Sequence, residues 1–145
     1  MTDITDAIAL LHSGDRAGAR GRFEGIWARV SDNPSAFHEC VLAHYMADAQ
    51  VEIAEELSWD LRSIAAAKRC TDEDARRYQH TLAMAAFMPS LHLNLAEDYR
   101  KLGNFECSKQ HLALARESMQ SLGDDGYGRM IRAGIESLGA KLQAI

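Results

Sequence analysis

The stretch Pro89–Leu122, PSLHLNLAEDYRKLGNFECSKQHLALARESMQSL, holds two apolar patterns that meet at Gly103-Asn104. In the first arm Leu91, Leu95, Tyr99 and Leu102 recur at steps of four, four and three. In the second, Phe105, Ser108, Leu112, Ala115, Met119 and Leu122 alternate steps of three and four. Both are the period of an amphipathic helix. A glycine between them can take the left-handed backbone that ends the first arm, so the stretch predicts a helical hairpin.

Moving outward, two more hairpins are expected. Over residues 2–31, Ile4, Ile8 and Leu11 form one stripe, Ser13-Gly14-Asp15 the turn, and Ala19, Phe23, Ile26 and Val30 the second stripe. Over 34–69, Phe37, Val41 and His44 share a face, with Cys40, Ala43 and Ala47 beside them. Ile53, Leu57, Leu61 and Ile64 follow on the second arm, and Trp59 points away from Leu57. The turn between them, near Asp48 to Val51, lacks glycine. Asn33-Pro34 and Met88-Pro89 each read as a boundary residue followed by Pro at the first helical position. Thr71 before Asp72, Glu73 and Asp74 reads as a capped start, predicting an extra helix over 72–87. Gly123-Asp124-Asp125 predicts the start of a terminal helix over 125–143, with Tyr127, Met130, Gly134, Leu138, Leu142 and Ile145 as its apolar stripe. Its glycines, each costing up to ~1 kcal/mol inside a helix, require tertiary contacts to hold it. β-branched residues never alternate with polar ones over a strand length, so the expected class is all-α.

The central hairpin resembles a tetratricopeptide repeat, a helix-turn-helix unit of about 34 residues patterned W-x2-L-G-x2-Y, then A-x3-F, then P. His92 takes the Trp place, Leu95 the Leu, Ala96 the Gly and Tyr99 the Tyr. Gly103 and Phe105 match the turn glycine and the aromatic after it. Ser108 replaces the small Ala, Leu112 the Phe and Ala115 the later small residue; the closing Pro is missing, with Gln120 near its place. Ala19 and Phe23 fall on A-x3-F when Gly14 is set at the turn. The resemblance implies a right-handed superhelix of antiparallel hairpins, a single domain over 1–145 with about seven or eight helices. Small residues at Ala96 and Ser108 would let paired helices approach closely.

The totals limit the function. The 145 residues suit one domain, 47% apolar and 26% charged. A net charge of −5 argues against nucleic-acid binding, which calls for concentrated positive charge. No apolar run approaches the roughly 20 residues of a membrane span. MTDITDAIALL has acids and no early Lys or Arg, so no secretory signal is expected. Cys40, Cys70 and Cys107 are odd in number and form no zinc spacing, which suits reduced thiols in the cytoplasm.

Chemistry-bearing patterns are few. There is no HExxH, GxSxG, phosphate-cradling loop or dinucleotide fingerprint. His38 and His44 turn to opposite faces of their helix, and His92, if buried, needs a partner for its ring N–H. Cys70 follows Lys68-Arg69 but sits at a helix C-terminus, where the dipole disfavours a thiolate. The acid pairs lie mostly at helix starts or on polar faces, as solvated carboxylates do. No catalytic residue, metal site or cofactor is therefore expected.

The resemblance instead implies a concave groove lined by the first helix of each repeat, binding a peptide or protein partner. Carried over, Asn94, Glu97, Arg100 and Lys101 would face it from the central repeat. His38, Leu42 and Tyr45 would face it from the second, and Ile8 and Leu11 from the first. Asn94 would hold a peptide backbone or carboxylate, with Arg100 or Lys101 as the cation. Self-association as a homodimer is the variant, since short arrays leave apolar end faces. The alternative from another class is a small hydrolytic or metal-assisted enzyme using His38, His80 and His92.

Overall fold

The computed structural model describes residues 2–30, 36–70 and 84–144. Every regular element among them is helical: α1 (Thr2–His12), α2 (Arg16–Val30), α3 (Ala36–Asp48), α4 (Ile53–Arg69), α5 (Met84–Lys101), α6 (Phe105–Ser118) and α7 (Gly126–Gln143). A 3-10 turn, Met119–Ser121, extends α6. The chain divides into two compact units, Met1–Cys70 and Thr71–Ile145. No described helix is long and apolar enough to cross a membrane.

Two turns, one in each unit, have the same construction. Gly14 has φ +94° and Gly103 φ +82°, the left-handed region where a Cβ is disfavoured. At the first turn Gly14 N–H donates to the Leu11 carbonyl and Asp15 N–H to that of Leu10; at the second, Gly103 N–H donates to Arg100 and Asn104 N–H to Tyr99. These are Schellman motifs, which satisfy carbonyls a helix end leaves open. The residue after each glycine then caps the next helix. Asp15 Oδ1 accepts from Gly18 N–H at 3.0 Å, and Asn104 Oδ1 from Cys107 N–H at 3.2 Å. One dipeptide thus ends one helix and starts the next.

Counting from these glycines, the packing also repeats. Ala7 and Ala96 lie seven residues before, Ala19 and Ser108 five after, and all four are fully buried. Phe23 and Leu112 fall nine after and fill the core of their hairpins. The Ser108 hydroxyl donates to the Ala96 carbonyl at 2.7 Å, so α5 and α6 approach backbone to side chain there. A longer side chain at either place would hold the helices apart.

In the first unit α1 packs on α2, α2 on α3 and α3 on α4. Phe23, Ile26, Leu42 and Met46 make the core with Ala7, Ala19 and Ala49, and the half-buried Trp27, Tyr45 and Trp59 pack against it. The turn without glycine runs from Ala49 to Glu52. There Gln50 bends back, its side-chain amide donating to the Met46 carbonyl at 3.0 Å. Ser63 Oγ donates to the Cys40 carbonyl at 2.8 Å, and Arg69 meets Glu39 at 2.7 Å across the open end of the α3–α4 pair.

In the second unit α5, α6 and α7 pack mutually. Ala96, Leu112, Ala115 and Leu122 meet Ile131, Ile135, Leu138 and Leu142. Asp125 caps α7, accepting from Gly128 N–H at 2.7 Å, and Arg132 ties back to the Leu122 and Gly123 carbonyls. Gly134 meets the tertiary requirement read from its sequence: a Cβ there would stand 2.8 Å from Leu93 Cδ2, so its bareness lets α7 close on α5.

Several stripes differ from expectation. Along α7 the buried face is Ile131, Ile135, Leu138 and Leu142, whereas Tyr127 and Met130 are 37% and 61% exposed. The helix is apolar on two sides, and contact with α5 and α6 selects one. Along α4, Asp60, Ser63, Ile64 and Ala67 are buried and Leu61 is exposed, because Ser63 faces Cys40. Leu102 and Phe105 flank the Gly103 turn and are 45% and 37% exposed, since the chain reverses there beyond the core. Pro89 does not open a helix: it sits inside α5, which begins at Met84. Met84–Phe87 therefore belong to α5 and not to a separate helix over 72–87. Thr71, the rest of that expected helix with His80, and the Asn33-Pro34 boundary lie outside the described residues.

Candidate functional site: a charged groove between α5 and α7

Because α5 and α6 are antiparallel, and α6 and α7 likewise, α5 and α7 run side by side in the same direction. Their last turns therefore come together, carrying Arg100, Lys101 and Lys141. Cations are favourable there, where each helix presents its partially negative C-terminus. Between the two helices runs an open groove of about 280 Å³. Leu93, Gly134 and Leu138 line it with Asn94 and Glu97 from α5 and Ser137 and Lys141 from α7. Spacings of three and four residues put each set on one face of its helix.

Glu97 is the anionic centre of the groove. Arg100, one turn on, grips it with both arms of its fork: Nε donates to Oε2 at 2.9 Å and Nη2 to Oε1 at 2.6 Å. These bonds hold the carboxyl below its ordinary range; burial opposes them, and the charges of Arg100, Lys141 and Lys101 add to them. The same pairing pushes the Arg100 guanidinium up. Three cations thus surround one carboxylate, a local positive excess on a chain whose net charge is −5. The arrangement suits an extended ligand with acidic or carboxylate groups, its apolar parts resting on Leu93 and Leu138.

Of the residues expected at a binding face, Asn94 and Glu97 line this groove and Arg100 is tied to it through Glu97. Lys101 is exposed and near enough to act on Glu97. His38 and Tyr45 belong to the first unit. His38 is half-buried, and burial lowers its imidazole. Tyr45 lays its ring on Phe23, with centroids 6.2 Å apart and planes within 9°, and burial raises its phenol. Leu42, expected to face a groove, is core, with no exposed surface. Ser137 and Lys141 were absent from the sequence reading. Their separation by one turn puts them on one face of α7, but nothing in the local pattern says that this face meets α5.

Comparison with protein-family models, curated proteins and solved structures finds no match for this chain. Its functional reading therefore stands on geometry.

Two further arrangements belong to the second unit. His92, the residue at the Trp place, is buried, and its Nδ1 lies 3.1 Å from His111 Nδ1 on α6. The ring centroids are 5.3 Å apart, exceeding the nitrogen separation by nearly two ring radii. The nitrogens therefore face one another in line, as in a hydrogen bond in which one ring donates and the other accepts. The Tyr99 ring lies nearly parallel to that of His111, with centroids 5.6 Å apart. A second cleft, of about 340 Å³, lies between α6 and α7, with Lys109, Arg116 and Gln143 around Leu112 and Leu142. Arg116 lies against Gly139 there, for a Cβ on that glycine would meet its Nη2 at 2.6 Å.

Proposed function

We propose that this chain is a non-catalytic binding module, a tetratricopeptide-like scaffold that captures a peptide or a partner protein in a concave groove. One observation carries the reading: Asn94 and Glu97, on the polar face of α5, share an open groove with Lys141 and Ser137 of α7. The repeated Gly-Asp and Gly-Asn turns, with fully buried small residues at matching offsets, support a repeat origin for the hairpins. In this reading Leu93 and Leu138 bury an apolar side chain of the ligand, Asn94 holds its backbone, and the cations orient its acidic groups. Association of two copies is the variant of the same proposal.

Selection of a displayed random-peptide library on the intact chain tests it. Peptides enriched for acidic residues should lose binding to Lys141→Glu and Asn94→Ala, and keep it with the distant Arg129→Ala. No enrichment, or equal binding by all the variants, would refute the groove. Sedimentation at micromolar concentration addresses the variant, and a strictly monomeric species would remove it.

A further inference from the structure

The chain has two tryptophans, and the fold brings them together. Trp27 on α2 and Trp59 on α4 meet edge to face, with centroids 4.9 Å apart and planes at 86°, both rings half-buried against the core of the first unit. Over this corner lies the Arg62 guanidinium, 4.9 Å from the Trp59 ring and 5.6 Å from the Trp27 ring. Arg62 is an exposed residue, and no described carboxylate pairs with it. What holds its charge in place is the pair of indole faces.

We propose that the Trp27–Trp59 corner is a recognition site for a quaternary ammonium group, with Arg62 as its resting occupant. Three features support this. The two rings hold each other through their edge-to-face contact and through the core beneath, so the corner persists when Arg62 leaves. Two faces at right angles present their negative quadrupoles to one point, the arrangement that attracts a cation. With no carboxylate among the described residues at the corner, it gives little return to strongly hydrated cations such as ammonium. It favours weakly hydrated ones: guanidinium, which it already holds, and alkylated ammonium, whose methyl groups contact both rings. Arg62 is tethered one turn from Trp59 and competes with every incoming ligand, so the intact protein binds more weakly than an emptied corner would. This site is independent of the α5–α7 groove.

Because Trp27 and Trp59 are the only tryptophans, intrinsic emission reports on the corner directly. The intact chain and Arg62→Ala would be titrated with tetramethylammonium chloride, and with sodium chloride at matched ionic strength. Tetramethylammonium should change the emission saturably where sodium does not. Arg62→Ala should bind on the order of ten-fold more tightly, the penalty of a site about nine-tenths occupied by its own arginine. Trp59→Leu, checked for helix content by circular dichroism, should abolish the response of the remaining tryptophan. Choline and a trimethyllysine peptide, with the unmodified lysine peptide as control, separate a free small molecule from a methylated protein as the source. Equal responses of Arg62→Ala to tetramethylammonium and to sodium would overturn the proposal.

Discussion

Replacing Ser108 separates two causes of the close approach between α5 and α6. Ser108 has no exposed surface, and its hydroxyl donates to the Ala96 carbonyl at 2.7 Å. In Ser108→Ala the contact keeps its size and loses the hydrogen bond. The Ala96 carbonyl still accepts from its own helix, so no buried acceptor is orphaned, and the cost is that of one ordinary bond, about 1 kcal/mol. In Ser108→Val the bond is lost and a methyl group is added where no space exists, which costs a further ~1–3 kcal/mol through forced separation of the helices. The pair should therefore rank wild type, Ala, Val, with a gap between Ala and Val at least as large as the first. Urea denaturation followed by circular dichroism reads both differences, and thermal midpoints should fall by about 3 °C per kcal/mol for a chain of 145 residues. Widening the α5–α6 contact should also disturb Asn94 and Glu97, so Ser108→Val should weaken peptide capture while Ser108→Ala leaves it intact. A Val variant as stable as the Ala variant would show that the helices do not touch where the structure places them.

Gly14→Ala and Gly103→Ala should each destabilise by about 1 kcal/mol in denaturant melts. Nothing lies within 4 Å of a Cβ at either place, so the cost is the left-handed backbone alone, and Asn should cost less than Ala. Acid sensitivity is expected in the first unit. Burial holds the His44 imidazole below its ordinary 6.5, with Asp48 opposing the shift. The unfolded chain then takes up a proton near pH 6.5 while the folded chain does not, so stability falls as the pH drops below about 6.5. Asp48, raised by burial, acts in the opposite sense: its folded form holds a proton above 3.8, where the unfolded form has released it. Urea midpoints at pH 5.5 and 7.5 should differ in wild type, and the difference should narrow in His44→Gln, His38 supplying a remainder of the same sign; an unchanged difference would refute the assignment. Burial pushes the Cys40 thiol up to about 12. Iodoacetamide at pH 8, mapped by mass spectrometry, should therefore modify Cys107 and Cys70 and spare Cys40 until the chain unfolds.

The turns were legible because their signal is local. A glycine at positive φ followed by Asp or Asn is a property of two adjacent residues, and both hairpin turns lie where Gly14-Asp15 and Gly103-Asn104 placed them. Half of the groove was legible for a related reason: Asn94, Glu97 and Arg100 share one face of one helix, and that face follows from 3.6 residues per turn. Lys141, Ser137 and the Trp27–Trp59 corner were not, because each depends on helices far apart in sequence meeting at a particular rotation. Pro89 misled because Pro is favoured at a helix start yet can be carried within a helix when packing holds the turn before it.

Composition and periodicity by themselves determined that the described chain is helical, where its hairpins turn and which small residues lie between paired helices. These are consequences of backbone geometry and of removing apolar area from water, both written into neighbouring residues. Tertiary structure alone decided which of two apolar sides α7 buries, why Asp60 and Ser63 lie inside while Leu61 faces water, and that Lys141 stands beside Glu97. An isolated amphipathic helix can be rotated about its axis at little cost, and only contact with neighbouring helices, at Gly134 against Leu93 or Ser63 against Cys40, selects one rotation.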